Sequence, residues 1–267
     1  SQNFFKDSRE YLRIRKEVNQ GTKITDLRSR EIEIYYEMPK ELIRVLPIIV
    51  VATLPFTNYF IFPLIYLFPR QLLSTHFWTM EQKVDFALIY HKKRLSNNQS
   101  VFRYLQDSIK DLPNPKILEN CQQIFHKIGS GVHPTAEEIL LAKEAFGLNP
   151  YKLASLSPGH ITSLCWMHGL SVVGFRKRRL KNHAEMIQYL DTVLKREDIR
   201  KLNADDMRKA CFLRGINPIS MQRDDIIKYL EQWMKVTDHV NSENISLLLH
   251  CPILLAYNQP TNWSLTH

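Results

Sequence analysis

Two stretches decide the fold of this chain: LASLSPGHITSLCWMHGL at residues 153–170 and IRKLNADDMRKACFLRGI at residues 199–216. When the two stretches are aligned with an offset of 46 residues, the same residue types that start and end a helix occur in the same order. Each has a polar N-cap, Ser157 or Asn203, then apolar residues at helical spacing, then a glycine suited to the position after a helix. The repeat therefore predicts two equivalent helices.

A second helix follows in each unit. It starts near Phe175 in the first unit and after Ser220 in the second, and Leu180 and Ile187 align with apolar residues 46 positions later. The alternation of apolar and polar residues that is typical of strands is nearly absent after residue 69. The sequence therefore predicts an all-α fold with repeated helix-loop-helix units.

Composition narrows the class of protein. The 267 residues include 36 Lys and Arg against 27 Asp and Glu, a net charge of +9, and 44% are apolar. Such a chain forms a packed core rather than a disordered or collagen-like polymer. Its four cysteines lie at least 40 residues apart without a C-x-x-C pair, which argues against a disulfide scaffold or a cysteine zinc cluster. We expect no bound metal and no cofactor.

One segment, residues 45–69, is uncharged over 25 residues, of which 18 are apolar. A helix of that length crosses a hydrocarbon layer of about 30 Å. We therefore predict a single transmembrane segment, with a buried helix of a soluble protein as the alternative. Four prolines predict kinks in it: Pro47, Pro55, Pro63 and Pro69.

The predicted membrane segment sets the organisation of the chain. Charged and apolar residues mix before it as in amphipathic helices, and helical spacing continues after it. The predicted segments are juxtamembrane amphipathic helices at 1–44, the transmembrane segment at 45–69, a helical region at 70–150, the repeated helix-loop-helix region at 151–240 and a C-terminal tail at 241–267.

Positive charge is concentrated in one run, which we call the basic run: Arg176, Lys177, Arg178, Arg179 and Lys181. Like charges this close repel one another and oppose the helix macrodipole, so stability does not explain them. The phosphates of a polyanion would offset the repulsion. We predict a phosphate-contacting site, with a solvated helix face or a site for anionic lipid headgroups as alternatives. A secondary basic patch is predicted at His91, Lys92, Lys93 and Arg94.

Sequence motifs of common enzymes are missing. The chain contains no G-x-S-x-G, H-E-x-x-H, P-loop or G-x-G-x-x-G pattern, and its ten histidines show no fixed spacing to carboxylates. We therefore predict no catalytic residue and a protein that is not an enzyme.

Two regions resemble the LETM family, the leucine-zipper and EF-hand transmembrane proteins of the mitochondrial inner membrane. Leu46-Pro47, Leu54-Pro55-Phe56 and Leu67-Phe68-Pro69, followed by LLSTHF at 72–77, are similar to the proline-rich membrane segment of that family. Residues 153–233 resemble its ribosome-binding domain. The similarity covers most of residues 22–256 and is closest to the smaller members, which lack the EF-hand.

The resemblance implies a mitochondrial inner-membrane protein whose C-terminal helical domain faces the matrix and binds the mitochondrial ribosome. It implies an adaptor that supports mitochondrial translation, membrane organisation and respiratory function. The basic run would then contact ribosomal RNA. Ribosomal proteins and the lipid bilayer are further expected partners, and self-association is left open.

Two alternatives stay open. The first is a cation/proton exchanger or an accessory to one, a disputed role of the family. Typical members carry an acidic residue and a Lys in the membrane segment where this chain has Asn58 and Tyr66, and an amide does not titrate. The chain also lacks a calcium-loop pattern. The second alternative is a nuclear regulator that associates with nucleic acid or chromatin.

Overall fold

The computed structural model describes residues 2–52, 58–68, 76 and 78–266. These residues form α-helices, short 3₁₀ turns and loops, and no β-strand lies among them, which confirms the all-α prediction for this part of the chain. The helices are α1 (Gln2–Asn19), α2 (Ser29–Ala52), α3 (Asn58–Leu67), α4 (Met80–Leu95), α5 (Asn98–Asp107), α6 (Pro115–Gly129), α7 (Ala136–Leu141), α8 (Pro158–Met167), α9 (Arg176–Glu197), α10 (Ala204–Leu213), α11 (Arg223–Thr237), α12 (Ile245–Ala256) and α13 (Pro260–Thr266). The chain divides into two compact units, 1–87 with 192–194 and 88–191 with 195–267.

In the first unit, α1 packs against α2. Ile14 of α1 and Ile32 of α2 are fully buried, and the Arg13 guanidinium lies 2.5 Å from the Glu31 carboxylate. Burying apolar side chains on one face of each helix is the main stabilising effect in such a pair. The segment predicted at 1–44 thus contains α1 and the first part of α2, and α2 continues to Ala52, past the boundary at residue 44.

The predicted membrane segment falls on the end of α2 and on α3. Pro47 lies within α2 and Pro63 within α3, whereas Pro55 and Pro69 lie outside the described residues. Among the helices that the structure describes, none combines the length and apolar character that crossing a bilayer requires. The physical reason is that α2 carries charged residues as far as Arg44, and α3 has only ten residues. The described helices thus do not support the predicted single span.

The second unit has α12 in its core. All twelve of its residues are buried, and it contacts α5, α11 and the 3₁₀ turn at 143–147. A helix that is apolar on nearly every side requires such surroundings. The predicted C-terminal tail at 241–267 is therefore an integral part of this unit in its described residues.

The two repeat units correspond to α8 with α9 and α10 with α11. Helices α8 and α10 both have ten residues, and α10 begins 46 residues after α8. The Ser157 hydroxyl accepts a hydrogen bond from a backbone N–H at 3.3 Å, and the Asn203 side chain accepts one at 2.8 Å. Both N-caps thus satisfy donors that a helix start leaves open.

The ends of α8 and α10 are also equivalent. Gly169 (φ 67°) and Gly215 (φ 86°) adopt the left-handed conformation that glycine tolerates best. The next residue in each unit donates its N–H back to a cysteine carbonyl oxygen, Leu170 to Cys165 at 2.7 Å and Ile216 to Cys211 at 3.1 Å. This is the Schellman closure of a helix.

Candidate nucleic-acid interface

The basic run forms the first two turns of α9. The helix begins at Arg176, directly after Phe175, whose backbone is left-handed (φ 40°) and whose side chain forms no cap. The structure places all five cations at one end of one helix, as the sequence predicts for a continuous run. Lys177, Arg178 and Lys181 are exposed, whereas Arg176 and Arg179 are half-buried.

Two cations of the run bind the backbone near the start of α8. Arg176 donates to the carbonyl oxygen of Pro158 at 3.4 Å and to the Thr162 hydroxyl. Lys177 donates to the carbonyl oxygen of Ala154. Because carbonyl oxygens are neutral, these bonds position the side chains without cancelling their charge.

Arg179 binds the loop between α8 and α9. Its guanidinium donates to the carbonyl oxygens of Ser171 at 2.5 Å, Gly174 at 3.1 Å and Val173 at 3.2 Å. Hydrogen bonds from a charged donor are stronger than those between neutral groups, so Arg179 fixes the path of this loop. The sequence alone does not distinguish this structural cation from its neighbours.

Arg178 and Lys181 are the cations most available to a ligand. Arg178 is exposed, and its side chain makes no hydrogen bond or ion pair within the part of the chain that the structure describes. Lys181 lies 3.8 Å from the Glu185 carboxylate, at the surface. An ion pair of this kind contributes little and exchanges readily with another anion. Glu185 is the first acidic residue of α9, so the start of the helix keeps a strong positive field.

The secondary basic patch is divided by the fold. Lys92 and Lys93 are exposed, but His91 is only 2% exposed and its Nε2 pairs with the Asn262 side-chain oxygen at 3.1 Å. Burial, and next the positive charge of Arg94, lower the pKa of His91 to about 4. His91 is therefore neutral at physiological pH and does not contribute to an anion-binding surface.

Arg94 has a structural contact that the sequence does not reveal. It donates to the carbonyl oxygen of Met167 at 2.8 Å and to those of Phe212 and Leu213 at 2.8 and 3.4 Å. Met167 ends α8 and Leu213 ends α10, so one guanidinium joins the C-termini of both repeat helices. Helix ends leave carbonyl groups open and favour a cation. Arg94 therefore stabilises the repeat rather than a surface patch.

Two apolar residues beside the basic run are also absent from the sequence prediction. Val173 and Phe175 flank Gly174 in the loop before α9, and both side chains are largely exposed. An aromatic residue next to a basic run is a signal that could have identified them, because nucleic-acid-binding surfaces combine cations with aromatic rings.

The four cysteines are buried free thiols. Burial raises the pKa values of Cys121 and Cys211 to about 12, so neither forms a reactive thiolate at neutral pH. No group of three or more His, Cys, Asp or Glu residues is placed to hold a metal ion in the described ranges.

Comparisons with known proteins identify relatives over most of the chain. Residues 27–254 match the family described as "LETM1-like, RBD". LETM1 domain-containing protein 1 of Xenopus tropicalis is 29% identical over 256 residues, 94% of this chain and 73% of the relative. Its namesake from Homo sapiens is 32% identical over 239 residues, 88% of this chain and 66% of the relative.

A more distant relative carries a different name. The mitochondrial proton/calcium exchanger protein of Drosophila melanogaster is 22% identical over 240 residues, which cover 86% of this chain and 23% of the relative. No solved structure matches the chain. The family match includes α2, both repeat units and nearly all of α12. The chain therefore belongs to the LETM1-like RBD family, which confirms the resemblance found in the sequence.

Proposed function

We propose that this chain is a non-enzymatic adaptor of the mitochondrial inner membrane that binds the mitochondrial ribosome through ribosomal RNA. Its C-terminal helical unit would lie in the matrix, and the adaptor would support mitochondrial translation. The observation that carries the proposal is the basic run at the start of α9, where Arg178, Lys177 and Lys181 are exposed and Glu185 is the first acid. The family description supports the choice of a ribosome as the polyanion.

Charge reversal at the exposed cations tests the RNA contact. Arg178→Glu with Lys181→Glu removes two phosphate contacts without touching the bonds made by Arg176 or Arg179. We expect the double variant to lose most co-sedimentation with purified mitochondrial ribosomes at low salt and to keep its helical circular dichroism. The slope of log affinity against log salt should fall by roughly two, since each phosphate contact releases about one counterion.

Lys110→Glu with Lys116→Glu is the matched control, because both lysines are exposed and lie outside the basic run. This control changes the net charge equally and should bind ribosomes like the unmodified protein. Equal losses in both double variants would show that net charge, and not the start of α9, governs binding, and would contradict the site.

Attachment to the membrane is supported by exposed apolar residues of the first unit. Ile43, Leu46 and Val50 lie on one side of α2 at helical spacing, and Tyr66 and Leu67 end α3. Exposed apolar patches mark membrane or protein contacts. We expect the protein to stay in the membrane pellet when mitochondria are extracted with alkaline carbonate. Release into the supernatant would favour the soluble nucleic-acid binder instead.

A cation/proton exchanger, or an accessory to one, is the second candidate. It is favoured by the similarity to the Drosophila relative, whose printed name is that of an exchanger. Reconstitution into proteoliposomes separates the two candidates. The adaptor function predicts no cation flux above empty liposomes, whereas flux that is lost when residues 45–69 are replaced would establish the exchanger.

A further inference from the structure

The loop between α8 and α9 presents an unusual aromatic residue. Phe175 is 83% exposed and Val173 is 79% exposed. Phe175 also has φ 40°, in the left-handed region that bulky residues avoid. Its side chain forms no N-cap, a role for which Ser, Asn and Asp are the preferred residues. Stability therefore does not account for Phe175.

The equivalent loop of the second repeat shows what the fold itself requires. Ser220 is equivalent to Gly174 and also has a positive φ of 70°, and Met221, equivalent to Phe175, is half-buried. This second loop is bound by the start of α13. The Asn217 backbone N–H donates to the Asn262 side-chain oxygen at 2.8 Å, and the Asn217 side-chain amide donates to the Thr261 carbonyl oxygen at 2.9 Å. The second loop thus connects its two helices without an exposed ring, whereas Val173, Gly174 and Phe175 of the first loop are exposed.

The open loop is held rigid beside the cations. Three carbonyl oxygens of residues 171–174 accept hydrogen bonds from Arg179, so the backbone that leads to Phe175 is held in place before any ligand arrives. Lys177 and Arg178 follow Phe175 by two and three residues and are exposed. A ring carried by a preorganised backbone, next to cations in the sequence, costs less conformational entropy to bind than a ring on a flexible loop.

We propose that Phe175 stacks on an unpaired base of RNA whose flanking phosphates are bound by Lys177, Arg178 and Lys181. The proposal rests on the proposed function and narrows it to a single-stranded segment of the RNA. Single strands are recognised by this combination of an aromatic platform and cations that follow the backbone. Base stacking tolerates any sequence, so the surface distinguishes unpaired from paired RNA rather than one base from another.

Fluorescence anisotropy with three labelled 12-mers tests the stacking: a single-stranded oligouridine, an abasic strand with the same phosphates, and a duplex. We expect Phe175→Ala to weaken binding to the single strand by roughly tenfold, the loss of one stacked base. Its affinity for the abasic strand should equal that of the unmodified protein. Phe175→Trp should keep the affinity, and its indole fluorescence should be quenched by the single strand. Leu141→Ala, at an exposed apolar residue far along the chain, is the control and should change nothing.

Three outcomes would overturn the proposal. The first is equal binding of Phe175→Ala and the unmodified protein to the single strand. The second is an equal loss on the abasic strand. The third is Phe175-dependent binding to vesicles with anionic lipids, together with equal affinity for base-bearing and abasic strands, which would identify a membrane contact.

Ribosome co-sedimentation distinguishes this proposal from the proposed function. If Arg178→Glu with Lys181→Glu abolishes co-sedimentation but Phe175→Ala binds the 12-mer normally, the adaptor function stands and the stacking proposal fails. If Phe175→Ala loses the 12-mer but the double charge reversal leaves ribosome binding intact, the stacking stands and the assigned ribosome site fails.

Discussion

Asp191 and Arg214 form an ion pair inside the second unit. One Asp191 carboxylate oxygen accepts hydrogen bonds from Nη2 of Arg214 at 2.5 Å and from its Nε at 3.0 Å, and the two residues are 4% and 1% exposed. The other oxygen accepts from the Trp233 indole N–H at 3.1 Å and the Thr237 hydroxyl at 2.9 Å. A single carboxylate thus joins α9 of the first repeat to α10 and α11 of the second.

Asp191→Asn should destabilise the protein strongly. The change keeps the size of the side chain but leaves the Arg214 cation buried without its counter-charge, which costs about 3–5 kcal/mol. We expect the midpoint of thermal unfolding to fall by about 6–20 °C. Asp225→Asn is the control, since Asp225 pairs with Lys228 at the surface. A shift for Asp191→Asn no larger than that of the control would contradict the role of the buried pair.

The repeat could be predicted because its signals are local. Ser157, Asn203, Gly169 and Gly215 act on backbone groups within a few residues, so their spacing along the chain is sufficient. The carbonyl partners of Arg94 and the carboxylate partner of Arg214 could not be predicted from the sequence. The former lie 73 or more residues away along the chain, and Asp191 lies 23 residues from Arg214. For the same reason, the sequence locates the basic run but does not distinguish Arg179, which closes a loop, from Arg178, which faces solvent.

Arg94→Ala should destabilise both repeat units together. Three carbonyl oxygens at the ends of α8 and α10 would lose a charged donor, and we expect a loss of about 2–4 kcal/mol in the free energy of unfolding. Urea denaturation measures it. Lys93→Ala, at the exposed neighbour, should change that free energy by less than about 0.5 kcal/mol. Similar values for the two variants would show that Arg94 does not join the helices.

Gly215→Ala and Gly131→Ala separate backbone strain from packing. Both glycines have nearly the same φ, 86° and 87°, so an alanine is strained alike at both. A Cβ at residue 215 would lie 2.7 Å from Cβ of Pro252 in the buried helix α12, whereas nothing lies within 4 Å at residue 131. Gly215→Ala should therefore cost about 1–3 kcal/mol more than Gly131→Ala in urea denaturation. If the two variants lost the same free energy of unfolding, α12 would have moved away from the new methyl group without destabilising the protein.

The buried neutral His91 predicts a loss of stability in mild acid. Burial and the charge of Arg94 lower its pKa to about 4 in the folded chain, against about 6.5 when unfolded, so below pH 6.5 the unfolded chain binds more protons. The stabilisation is complete above pH 6.5 and is lost as the pH falls towards 4, by about 2 kcal/mol at pH 5. His91→Gln keeps a donor for Asn262 but does not titrate, so its free energy of unfolding should fall by about 2 kcal/mol less between pH 7 and pH 5. His239→Gln, at an exposed ring, serves as the control. If His91→Gln and the unmodified protein lose the same free energy over that interval, His91 is not the group that titrates.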